Sequence, residues 1–164
     1  MCCSAAVIDA DRSSDGVRVL RQADPAAAGR ILASLPEWFG IPAANEHYVQ
    51  AAGELPSYLA VSDDQVVGVL LIARHFPQSA EVYLIALDAV HRNRGFGSAL
   101  LAAAEADLRD DGVHFLQVKT LGPSRADANY EQTRTFYERR GFEPLEELSD
   151  LWPGNPCLLI VKTL

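Results

Sequence analysis

Two arginines and two glycines, spaced as Arg92-Asn93-Arg94-Gly95-Phe96-Gly97, stand between an apolar run and an Ala/Leu-rich stretch. In that stretch Leu100, Leu101, Ala104 and Leu108 fall on one helical face, with Glu105 and Asp107 turned away. A helix start leaves its first N–H groups without intrahelical partners, and the helix dipole adds positive potential there. Glycines let an anion approach the backbone, and arginines supply full charges. The chemistry implied is capture of a phosphate-bearing ligand. A plain strand-to-helix turn with solvated arginines would use the same residue types, so the surroundings must decide.

The fuller string fits R/Q-x-x-G-x-G/A, and between a strand and a helix it resembles the coenzyme A pyrophosphate loop of the GNAT superfamily of N-acetyltransferases. The late segment Thr135-Phe136-Tyr137-Glu138-Arg139-Arg140-Gly141-Phe142 resembles that superfamily's second signature, FYe..GF. The likeness covers residues 58–142 well and the flanks by layout only. It implies acetyl-CoA as cosubstrate, held by Arg92, Asn93, Arg94, Gly95, Phe96, Gly97 and Ser98. It also implies that backbone N–H groups around Ile85, Ala86 and Leu87 bind the cofactor and polarise the thioester carbonyl.

By the same resemblance Tyr137 donates a proton to the departing thiolate. A phenol with a reference pKa of ~10 is protonated at neutral pH and suits that role. Phe136 and Phe142 read as packing. Glu81, opening the strand before the loop, is the candidate general base, directly or through a water, and a water chain alone is the other option. Many members of the superfamily carry Asn seven residues before the tyrosine. Tyr130 stands there instead, and Asn129, one residue earlier, is the candidate pantetheine contact through a shifted loop. No cysteine is placed to carry an acetyl intermediate, so direct transfer in a ternary complex is expected. A non-catalytic acyl-CoA-binding sensor of the same fold is the alternative, and the length of the acyl group stays open.

The elements that must position these groups follow from patterning. Residues 17–21 alternate as a first strand. Asp24-Pro25 supplies an N-cap and a first-turn proline for a helix ending at Pro36. The proline-bounded segment 36–42 carries Trp38 and Glu37, the candidates for an acceptor pocket, against readings as a core aromatic and a surface charge. A second helix ends near Gly53. Strands at 58–61, 66–73 and 81–87, joined by tight turns, form a meander into the glycine loop. After the central helix come a strand at 114–120, a loop at 121–129, a helix at 130–140 capped by Gly141, and strands at 142–148 and 157–162. The order β-α-α-β-β-β-α-β-α-β-β reads as an α+β fold, and the resemblance implies a central, mostly antiparallel mixed sheet flanked by helices. The order matches the superfamily's layout. Residues 1–15 read as a flexible leader and 16–164 as one domain. A dinucleotide fingerprint is disfavoured because the loop follows a meander and lacks the third glycine, and no Gly-Lys-Ser/Thr marks a P-loop.

Composition bounds the rest. The 164 residues, 49% hydrophobic and 22% charged, suit one globular domain. No apolar run approaches the ~20 residues needed to span a bilayer. The acidic leader does not resemble a secretory signal, and acylation of Cys2 or Cys3 is the minor reading. Three cysteines form no disulfide framework, and Cys157 reads as a buried small hydrophobe. A cytoplasmic location fits. The net charge of −8 disfavours nucleic acid and tilts the acceptor towards a small cationic amine. His75 and His114 read as ordinary strand residues, Lys119 as a surface lysine at a strand end, and Asp88 as a turn cap. No metal is expected. The state expected is a monomer or a homodimer.

Overall fold

The computed structural model describes residues 17–164. The leader expected at 1–15 and the two N-terminal cysteines lie outside the described residues. Among the described residues seven strands are hydrogen-bonded in the order β1-β2-β3-β4-β5-β7-β6, with four helices between them in sequence. Strands β1/β2, β2/β3, β5/β7 and β6/β7 pair antiparallel, and β4/β5 pair parallel, which is the mixed sheet expected. The chain resolves into two compact units, residues up to 73 with 84–107, and residues 74–83 with 108–164.

The first unit contains β1 (Arg18–Arg21), α1 (Pro25–Ala33), α2 (Pro42–Glu54), β2 (Ser57–Ser62) and most of β3 (Gln65–Phe76). It also holds the second half of β4 (Ser79–Leu87) and most of α3 (Phe96–Asp110). Helix α1 starts where the sequence says it should: Pro25 fixes the first turn, and the Asp24 carboxylate accepts the Ala27 N–H at 2.9 Å. Its buried face, Ala28, Ile31 and Leu32, packs with Leu35, Ala52 of α2, and Leu59, Val69, Leu71, Leu84 and Ala86 of the strands. Burying a side chain of this size stabilises by ~1.5–3 kcal/mol, so this cluster fixes α1 and α2 on the strands. Asp107 of α3 accepts from the Tyr58 hydroxyl at 2.7 Å and pairs with Arg21. Burial first, then the Asp107 contact, pushes the Tyr58 phenol up to about 12.

The second unit contains the end of β3, the start of β4, β5 (Phe115–Leu121), α4 (Ala128–Glu138), β6 (Glu143–Trp152) and β7 (Asn155–Thr163). The ladder between β4 and β5 is short. It pairs Ser79, Ala80 and Glu81 with Phe115, Leu116 and Gln117, while each strand runs on beyond it. Helix α4 begins at Ala128, two residues ahead of the expected start, because the Asp127 carboxylate caps it by accepting the Asn129 and Tyr130 N–H groups at 2.9 and 3.1 Å. Past its end, Gly141 takes φ +83°, as expected for a helix-terminating glycine. Strand β3 ends at Phe76, three residues past the limit read from sequence, and so includes His75.

Candidate functional site

In the first unit β4 ends at Leu87, and a single 3-10 turn, Ala89–His91, leads into the glycine loop. Arg92 is extended, Asn93 has φ +58° and Gly95 has φ +88°, after which α3 begins at Phe96. A side chain at Gly95 would meet nothing within 4 Å. The glycine is therefore required for backbone geometry, and the space in front of it is open. Alternating left-handed residues at a helix start turn successive N–H groups to one side, an arrangement that suits a phosphate. The residues present fit the pyrophosphate of coenzyme A. The Ala99 N–H bonds the Gly95 carbonyl at 2.9 Å, which ties the loop to the first helical turn. Phe96 is buried, its ring meeting His91 edge-on at 5.4 Å between centroids, and the Arg94 guanidinium lies 5.6 Å from its centre.

Arg92 lies over the indole of Trp38, 3.8 Å from the ring centroid. Its partial burial disfavours the charge, and the nearby Glu37 favours it. Trp38 and Glu37, expected at an acceptor pocket, are thus engaged with the loop arginine, and one indole face is covered. Asp88, expected to cap the turn, makes no such bond. Its carboxylate contacts Arg30 at 3.4 Å and the Ser34 hydroxyl at 3.5 Å, both in the segment that begins with α1. A carboxylate facing a guanidinium gains more there than from one backbone N–H in water.

A polar cluster lies in the second unit. The Glu81 side chain is 8% exposed, and one of its oxygens, Oε2, accepts three contacts. These come from His75 Nε2 at 2.7 Å, Lys119 Nζ at 2.7 Å and Gln117 Nε2 at 3.2 Å. Desolvation pushes the Glu81 carboxyl upwards, but the Lys119, His75 and Gln117 contacts together outweigh it, and the net direction is down. Glu81 is therefore ionised at neutral pH, with donors already on one oxygen. Lys119 is a partner of this carboxylate and not the solvated strand-end lysine expected. His75 and Gln117 were missed. Their signal was strand register: Glu81 and Gln117 are partners in the β4/β5 ladder, and Lys119 is two residues on, on the same face.

Tyr137 is 2% exposed, its ring edge-on to Phe136 and Phe142 at 5.1 and 5.2 Å between centroids. Burial pushes its phenol far above the ordinary value, against a smaller downward effect of Arg140, so it stays protonated at any working pH. Asn129 lies in the first turn of α4, not in a loop, with Tyr130 beside it. Ile85, Ala86 and Leu87 lie on β4 beyond the last residue that pairs with β5, Glu81. Cys157 is buried, as expected of a small hydrophobe. Among the described residues no three His, Cys, Asp or Glu gather as a metal site, and no helix is long and apolar enough to cross a membrane.

A family model described as an acetyltransferase (GNAT) domain matches residues 54–144, more than half of the chain. Among solved structures, a GNAT-family protein from Desulfovibrio desulfuricans is 23% identical, with TM-score 0.79 over 90% of this chain and 99% of that one. The ribosomal-protein-S18-alanine N-acetyltransferase from Escherichia coli is 17% identical, with TM-score 0.73 over 90% of this chain and 93% of its own. A GNAT family acetyltransferase from Elizabethkingia anophelis with acetyl-CoA bound is 15% identical, with TM-score 0.70 over 92% and 100%. At these identities the structures establish likeness of fold. No sequence among curated proteins matches the chain.

Proposed function

The chain belongs to the GNAT family of acetyltransferases, and from that premise we propose that it transfers the acetyl group of acetyl-CoA directly to a primary amine, with Tyr137 as the acid. GNAT acetyltransferases use acetyl-CoA as cosubstrate and act on amines of small molecules or proteins. The thioester supplies an activated acetyl group. This chain's residues bind, orient and move protons around it.

The observation that supports the proposal is the turn into α3, with Asn93 and Gly95 at positive φ and open space in front of Gly95. Arg92, Asn93, Arg94, Gly95, Phe96, Gly97 and Ser98 hold the pyrophosphate. Backbone N–H groups at Ile85, Ala86 and Leu87 orient the thioester, a role favoured by a β4/β5 ladder that ends at Glu81. Asn129 offers a side-chain amide to the pantetheine arm. Tyr137, which burial keeps in its protonated form, hydrogen-bonds to the leaving thiolate and gives it the proton. The ammonium loses its proton at the Glu81 cluster. A net charge of −8 favours a small cationic amine as acceptor.

Titration calorimetry with acetyl-CoA tests the cradle, and thiol release with amines tests the acid. Arg94→Ala is expected to weaken binding about tenfold through loss of a charge-assisted contact. Tyr137→Phe is expected to lower kcat about a hundredfold while leaving binding intact. No binding to folded wild type would overturn the proposal, and unchanged turnover by Tyr137→Phe would remove the acid.

A further inference from the structure

Three donors converge on Oε2 of Glu81, and they differ in how far the surroundings can reach them. The side chains of Glu81 and Lys119 are 8% and 31% exposed, and that of His75 is 40% exposed. An ionised carboxylate only accepts hydrogen bonds, so the nitrogen of His75 that faces it, Nε2, must carry the hydrogen. In the neutral ring the other nitrogen, Nδ1, then holds the lone pair. Among the described residues nothing bonds Nδ1.

We propose that His75 is the general base of the acetyl transfer, taking the proton of the acceptor ammonium at Nδ1, and that Glu81 is a positioning residue that fixes its tautomer. The inference rests on the acetyltransferase reading above and specifies which atom takes the proton. An N–H bond of the ammonium breaks, its electron pair stays on the amine nitrogen, and the proton bonds to Nδ1. The resulting imidazolium faces a carboxylate 2.7 Å from Nε2, which stabilises the charge as it forms. The half-exposed ring then returns the proton to water.

The other charged groups near His75 are accounted for. Lys119 faces the same carboxylate from β5, so the cluster stays near neutral while the ring is uncharged. The guanidinium of its neighbour Arg74 lies 3.5 Å from the Asp111 carboxylate. Glu81 itself is the poorer base. Its Oε2 already accepts from Lys119, His75 and Gln117, and those contacts hold the carboxyl ionised.

The experiment follows kcat/KM against pH for wild type, His75→Gln and Glu81→Gln. The probes are spermidine, an aminoglycoside and an alanine-initiated peptide, read by thiol release, with acetyl-CoA binding measured on the same samples. His75→Gln is expected to lose about a hundredfold at pH 7 and the rising acid limb of the wild-type profile, with unchanged acetyl-CoA affinity. Added imidazole is expected to restore part of the rate of His75→Ala, which a merely structural histidine would not allow. Glu81→Gln is expected to keep that limb at a lower rate. A wild-type profile in His75→Gln would overturn the inference and leave the acetyltransferase reading standing, whereas absent acetyl-CoA binding by wild type would remove that reading. The tautomer gives a check independent of turnover. Nitrogen-15 NMR of the full chain is expected to find neutral His75 protonated at Nε2, and a ring protonated at Nδ1 would overturn the inference.

Discussion

The glycine loop and the Glu81 cluster both gather polar groups, but they are built from different materials. The loop is made of backbone. Its shape is set by two positive-φ residues and a helix start, and its proposed role as an anion cradle rests on the backbone N–H groups there, with the arginines supplementing them. The cluster is made of side chains brought together from β3, β4 and β5, and its geometry is set by strand register. Fixed dipoles suit a ligand whose charge never changes, such as a pyrophosphate. Titratable side chains held by one another suit a step in which a proton must arrive and leave. The contrast also predicts which substitutions each region tolerates.

The largest effect is expected at Glu81. Glu81→Leu strips Lys119 and His75 of their shared acceptor and is expected to cost about 2–3 kcal/mol in urea unfolding, since a partly buried charge loses its partner. The same residue sets a pH signature. Its folded pKa lies below the reference value of 4.5, so the unfolded chain binds the extra proton and stability rises with pH across that interval. The contribution is complete above about 4.5 and is lost as pH falls through the folded value. Glu81→Gln is therefore expected to flatten the acid limb of unfolding curves, and an identical limb in the variant would break the assignment.

In the loop the expectation reverses, because side-chain chemistry counts for less than φ. Gly95→Ala meets no atom, yet it is expected to cost about 1–2 kcal/mol, the left-handed penalty, and to weaken acetyl-CoA binding in calorimetry. If Ala behaves like Gly, the claim that backbone geometry defines the cradle is wrong. The smallest effect is expected at Trp38. Trp38→Leu removes the cation–π support of Arg92, worth about 0.5–1 kcal/mol, and should raise the acetyl-CoA Kd two- to fivefold. A change in acceptor preference at constant Kd would return Trp38 to the acceptor pocket.

The same division of materials explains what could be read from sequence. The loop is contiguous, so Arg94, Gly95 and Gly97 announced themselves by spacing, and the Asp24 cap and the Gly141 terminus were equally local. The α+β order and the antiparallel meander followed from patterning, and the mixed sheet from the resemblance carried by the two signatures. The cluster is not contiguous. His75 lay past the expected end of β3, and Lys119 meets Glu81 only because β5 runs parallel to β4 in one register, which no local pattern encodes. Asp88 was expected to cap its own turn, and the contact of Trp38 with Arg92 was not foreseen, for the same reason. Each found a distant arginine, Arg92 for Trp38 and Arg30 for Asp88, that a linear scan does not bring near. Asn129 was expected in a loop and lies in the first turn of α4, because Asp127 captured the helix start two residues early.

Asp88 and Trp38 each tie the glycine loop to the stretch around the end of α1, one through Arg30 and Ser34, the other through Arg92. An insertion after Ser34 would therefore shift the indole under Arg92 and loosen the hold on the loop's first residue, so a change of length in this stretch is felt at the loop.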